Sequence, residues 1–165
     1  MRIDVFCDIV DNYGDAGVCW RLVRRLAETS SPTSPASLHH SSHDSIRLFC
    51  DDLNLLNQLA GGDAKALGKS LGIEILTWAQ STQPEMMAEQ LPDLVIESFG
   101  CALPPTYLEL ISKNTSCVIL NLEYLSAEDW IDSHHELPSP SGILKKYFFF
   151  PGFSSSYLNY RYQSF

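Results

Sequence analysis

Ile3-Asp4-Val5-Phe6-Cys7-Asp8-Ile9-Val10 runs directly into Asp11-Asn12-Tyr13-Gly14-Asp15-Ala16-Gly17, and the chain then turns helical. The first segment is a short apolar run, the pattern of a strand buried on both faces of a parallel sheet. Over residues 17–28, Val18, Cys19, Leu22, Val23 and Leu26 share one side of a helix, and Arg21, Arg24, Arg25 and Glu28 share the other. Strand, Gly-containing turn and amphipathic helix open an α/β domain, and the turn between them is where such folds place ligand chemistry. In a dinucleotide-binding protein that turn reads G-x-G-x-x-G, and its bare N–H groups meet a pyrophosphate. Here that spacing is absent, and the turn carries Asp11 and Asp15, which repel phosphate. Such a loop suits a cation or a proton.

The alternation continues downstream. Strands are expected over residues 46–50, 73–78, 94–97 and 117–122. Helices are expected over 52–59, ended by Gly61-Gly62, and over 105–112, with proline at the start. A helical turn over 85–90 stops before Pro92, and the aromatic run 146–150 is a further strand candidate. The fold class that follows is α/β: a Rossmann-like parallel sheet covered by helices on both faces. Residues 29–45, rich in Ser, Pro and His, read as a polar loop or insertion within a domain spanning 1–150. The tail 151–165 has neither helical period nor clear alternation. The apolar stretch 147–165 is expected to favour self-association.

With 165 residues and 45% hydrophobic content, the chain has the make-up of one soluble globular domain. A net charge of −9 argues against nucleic acid as a partner. No apolar run reaches the length of a membrane span, and the charge at Asp4 interrupts any signal-peptide pattern. Five cysteines, far apart and set in apolar runs, fit reduced, buried thiols and a cytoplasmic location. Cys7 and Cys101 are therefore read as small buried hydrophobes rather than nucleophiles.

Asp11 and Asp15 carry two readings. In the structural one, Asp15 caps a helix beginning at Ala16 and Asp11 stabilises the turn. In the functional one, the pair takes a proton or grips a guanidinium by charge-assisted hydrogen bonds. Glu97 and Glu123 each close an expected strand, so both belong to the same carboxyl edge. Ser126 matches a helix-capping pattern with Asp129. His39-His40 and His134-His135 lack companions at metal-binding spacing and read as surface loop residues.

Val10-Asp11-Asn12-Tyr13-Gly14-Asp15, Gly17-Val18-Cys19-Trp20-Arg21-Leu22, Val95-Ile96-Glu97-Ser98-Phe99-Gly100-Cys101, Asn121-Leu122-Glu123-Tyr124-Leu125-Ser126, Leu137-Pro138-Ser139-Pro140 and Lys146-Tyr147-Phe148-Phe149-Phe150-Pro151-Gly152-Phe153, taken in order, resemble the EarP family. These are bacterial protein-arginine rhamnosyltransferases that modify elongation factor P. The resemblance implies an inverting, metal-independent GT-B glycosyltransferase whose donor substrate is dTDP-β-L-rhamnose and which needs no cofactor. The present chain would be its N-terminal, acceptor-binding half. The resemblance further implies catalytic roles for Asp15, as general base, and Asp11, and places Asn12, Tyr13, Glu97, Phe99, Glu123 and Tyr124 on the acceptor side. Members of the family carry a second, donor-binding domain that these residues do not include, so the chain is expected to be a truncated half, inactive alone. Two alternatives stand beside this: a non-catalytic fragment that binds elongation factor P, and a Rossmann-type nucleotide-binding oxidoreductase. Acids in place of the pyrophosphate turn weigh against the second.

Overall fold

The structure is a computed structural model that describes residues 1–10, 13–30, 45–83, 91–126, 128, 130–139 and 144–151. Six strands, β1 (Arg2–Cys7), β2 (Ser45–Cys50), β3 (Ile73–Thr77), β4 (Leu94–Ser98), β5 (Val118–Leu122) and β6 (Lys145–Phe149), form one sheet in the order β3-β2-β1-β4-β5-β6. All five neighbouring pairs are parallel. This is the order of the doubly wound dinucleotide-binding folds, with the reversal of winding between β1 and β4. The expected Rossmann-like α/β class is therefore observed, and the aromatic run near 146–150 is its sixth strand.

Side-chain alternation along the strands builds two cores. On one face Ile3, Val5, Cys7, Ile46, Leu48, Ile73, Ile75, Ile96 and Leu122 pack beneath α1 (Tyr13–Thr29), α2 (Leu53–Ala60) and α3 (Ala64–Ser70). On the other, Phe6, Phe49, Leu76, Val95 and Ile119 pack with Tyr107 and Ile111 of α4 (Pro105–Ile111). Asp52 caps α2 by accepting from the N–H groups of Asn54 and Leu55, and Gly61 ends it at φ 72°, a left-handed conformation that favours glycine.

The second face contains a buried ion pair. The Asp4 carboxylate accepts from the Arg47 guanidinium and from the Tyr107 hydroxyl, the latter at 2.6 Å, and both charged side chains are fully buried. Arg47 also lies 5.3 Å from the centroid of Phe49, so its planar cation is covered by a ring on one side.

Several boundaries differ from the sequence-based expectation. β1 stops at Cys7 rather than Val10, because Ile9 N–H turns away to donate to Asp51 Oδ1. The helix expected from residue 17 begins at Tyr13. Its two early glycines carry a propensity penalty of about 1 kcal/mol each. Tertiary bonds to the first turn offset that penalty: Tyr13 OH donates to Gln58, and Asp15 accepts from Val10 N–H. Helix α3 and the 3-10 turn Trp78–Thr82 were not anticipated. A four-residue helix, α5 (Ile131–His134), starts beyond Ser126, whose hydroxyl accepts from Glu128 N–H; Asp129, its expected capping companion, lies outside the described residues. His135 is not a free loop residue: its ring packs on Phe149 and its Nδ1 accepts from Phe150 N–H at 3.1 Å. Of the segments expected as a polar insertion (29–45), a helical turn (85–90) and a divergent tail (151–165), residues 31–44, 85–90 and 152–165 lie outside the described residues, while Thr29 ends α1 and Ser45 opens β2.

Candidate active site at the carboxyl edge

The candidate site forms where the winding reverses, at the carboxyl ends of β1 and β4 and beside that of β5. Asp15 is the third residue of α1, not its cap, and its first-turn position sets the carboxylate against the positive end of the helix dipole. Oδ2 accepts from Val10 N–H at 3.1 Å, and Oδ1 accepts from the Tyr124 hydroxyl at 3.0 Å. The residue is only 1% exposed, whereas Tyr124, in the segment after β5, is 50% exposed. Tyr124 is steadied by Phe99, whose ring stacks on it at 4.3 Å between centroids and 14° between planes. Phe99 has φ 58° and the next residue, Gly100, φ 68°. A left-handed phenylalanine is a strained conformation of the kind that gathers at functional sites.

More acids surround this carboxylate than the sequence suggested. Asp8 follows β1, and its carboxyl is pushed above the ordinary 3.8 by burial and then by the neighbouring charge of Asp51, with a smaller contribution from Asp15. Asp8 and Asp51 were missed as edge residues. For Asp51 the signal was available, since it directly follows the strand expected over 46–50; Asp8 was hidden because β1 was expected to run on to Val10. Val10, Tyr13, Tyr124 and Leu125 add exposed apolar side chains in the segments that flank Asp15.

The glutamates take a different direction. In β4, Ile96 faces the α1 side, so Glu97 faces the α4 side, where Lys146 Nζ donates to its Oε2 at 2.8 Å. That pair lies at a groove of about 710 Å³ lined by Leu103, Leu108, Ile119 and Leu144. Lys146 went unrecognised because its partnership depends on β4, β5 and β6 lying side by side in register. Glu123 leaves the end of β5 and accepts from Asn121 Nδ2. The structure thus brings Asp15, Tyr124 and Phe99 together, with Tyr13 at the start of the same helix. It sets Glu97 on the opposite sheet face. Asp11 and Asn12 lie outside the described residues.

The cysteines are all free and buried. Contacts with Cys19 and Cys50, followed by burial, push the Cys7 thiol up. Burial and then the Glu97 charge push Cys101 up to about 12. Neither is poised as a nucleophile. Among the described residues, no group of three His, Cys, Asp or Glu side chains is arranged to hold a metal ion. Among the described residues, no helix is long and apolar enough to cross a membrane.

The family described as elongation factor P (EF-P) rhamnosyltransferase EarP matches residues 3–157. Curated relatives named protein-arginine rhamnosyltransferase include those of Pseudomonas putida KT2440, 41% identical over 156 residues, and Pseudomonas aeruginosa PAO1, 40% identical over 154. A third, from Shewanella oneidensis MR-1, is 39% identical over 161 residues. These matches cover 91–92% of this chain but only 37% of each relative, so the chain spans little more than a third of their length. A match running from the first strand past the sixth, through the segments that build the carboxyl edge, makes this chain a member of the EarP family.

Proposed function

We propose that this chain is the acceptor-side half of an inverting, metal-independent GT-B protein-arginine rhamnosyltransferase. The donor is dTDP-β-L-rhamnose, and the acceptor is an arginine of elongation factor P in the cytoplasm. On this reading the donor-binding half lies in the part of the relatives' length that this chain does not span; the match covers 37% of the Pseudomonas putida relative. The observation that carries the reading is the Asp15 carboxylate, held at the point where the winding reverses, where it accepts from Val10 N–H and from the Tyr124 hydroxyl.

The chemistry asks for such a group. An arginine side chain is cationic and delocalised, with a pKa above ~12, so prior deprotonation is costly. The proton leaves as the guanidinium nitrogen attacks the anomeric carbon. The bond to the dTDP oxygen breaks on the opposite side, dTDP departs with that electron pair, and the configuration inverts. Asp15 collects the proton, and Asp11 orients and compensates the cation. Acids in the first turn are tolerable because the nucleotide sits across the cleft, on the other domain. Tyr13, Phe99 and Tyr124, with Asn12, contribute the acceptor-facing surface of this arrangement, while Glu97 and Glu123 act at its margin.

The second reading is a non-catalytic chain that binds elongation factor P without transferring sugar. One experiment separates them. The chain is joined to the C-terminal remainder of the Pseudomonas putida relative and incubated with dTDP-β-L-rhamnose and elongation factor P. A one-deoxyhexose mass increase on an arginine, with release of dTDP, supports the transferase. Stable acceptor binding without transfer supports the non-catalytic chain.

A further inference from the structure

We propose that the Tyr124 hydroxyl is a placeholder for the acceptor guanidinium: it occupies Asp15 Oδ1 in the acceptor-free protein and is displaced when arginine arrives. The inference rests on the reading of Asp15 as the group that faces the guanidinium. Asp15 is 1% exposed, so no substrate atom reaches it in the conformation described. One of its oxygens is held by Val10 N–H, a backbone donor in the turn before α1, and the other by Tyr124 O–H at 3.0 Å. Of these two donors, Tyr124 is the side chain, half exposed and set in the irregular segment between β5 and α5.

A phenolic O–H and a guanidinium N–H present the same kind of donor to a carboxylate, and the charged one binds about twice as strongly. Exchange of one for the other therefore keeps Oδ1 satisfied throughout and avoids a buried, unpaired charge. The Tyr124 ring, stacked on Phe99, has an apolar surface to slide along as it yields, and an aromatic face beside an incoming planar cation is itself favourable. The acid remains shielded from water until the acceptor arrives.

The test uses this chain as it stands, with acetyl-arginine amide as probe and acetyl-citrulline amide as its uncharged control, followed by NMR titration. Tyr124→Phe keeps the ring and its stack but removes the competing hydroxyl. It is expected to bind the arginine probe roughly tenfold more tightly than wild type, the lower end of what a hydrogen bond to a charged group contributes. Citrulline should gain nothing. Asp15→Asn should lose arginine binding in either background. Equal or weaker arginine binding by Tyr124→Phe, or no binding by that variant at all, overturns the placeholder. If Tyr124→Phe leaves affinity unchanged while Asp15→Asn abolishes it, the placeholder fails and the guanidinium-facing role of Asp15 stands.

Discussion

Asp15→Asn distinguishes a carboxylate that merely anchors a helix from one that takes a proton, provided stability and transfer are measured separately. The substitution preserves volume, and the amide oxygen can still accept from Val10 N–H or from Tyr124 O–H, where the carboxylate now accepts from both. Two contributions are lost. A charge in the first turn of a helix is worth about 0.3–1 kcal/mol, more when partly buried. Hydrogen bonds to a charged group contribute about 1.5–3 kcal/mol against about 1 for neutral ones. The sum is a destabilisation of about 2 kcal/mol, readable by urea unfolding of this chain. A domain of ordinary stability, about 5 kcal/mol or more, stays almost wholly folded after that loss. A purely structural Asp15 would therefore leave transfer by the reconstituted enzyme nearly unchanged. As the general base, its loss should lower kcat by ~100-fold or more, equivalent to about 2.7 kcal/mol at the transition state. A folded Asp15→Asn enzyme that transfers rhamnose within about threefold of wild type would refute the base assignment.

Other substitutions probe the scaffold beneath that site. Asp4→Ala leaves the fully buried Arg47 without its carboxylate and should destabilise by about 3–5 kcal/mol in urea unfolding. Replacing both charges, as in Asp4→Leu/Arg47→Met with Tyr107→Phe, should recover most of that loss; an equally unstable triple variant would contradict the reasoning. Asp8 titrates above 3.8 in the folded protein, so its contribution to stability is greatest below that pH and is lost as pH rises through the raised folded value. Asp8→Asn should accordingly raise Tm near neutral pH and lose its advantage below pH 3.8, as thermal melts across pH will show. A Cβ at Gly68 would stand 2.8 Å from Ile75 Cδ1 and 3.0 Å from the Ile73 carbonyl oxygen. Gly68→Ala should therefore lower stability by about 1 kcal/mol despite its gain of helix propensity, because overpacking costs about 1–3 kcal/mol.

The fold class was readable because burial on both faces of a parallel sheet leaves short, largely apolar runs, as in β4 and, apart from the paired Asp4 and Arg47, in β1 and β2. Helix ends were readable where local chemistry sets them, at Asp52, Gly61 and Pro105. They were misread at Tyr13, where bonds to Gln58 and Val10, distant along the chain or outside the helix, outweigh the glycines. The acids of the first turn were visible as residue types in an informative place. Strand-end position also put Glu97 and Glu123 at the correct edge.

The amino-acid sequence by itself determined the α/β class, the residues of the acidic turn and, through its ordered blocks, the family. Tertiary structure alone decided partnership. Period-two alternation sends Glu97 to the face opposite α1, and strand register then gives it Lys146. Tyr124, 109 positions from Asp15 along the chain, reaches that carboxylate because β5 lies two strands from β1 in the sheet. Propensity and periodicity act over a few residues, whereas a hydrogen bond depends on which strands are neighbours. That order is set by how the crossovers pack, and it is what turns an aspartate in a turn into a buried carboxylate with a displaceable donor.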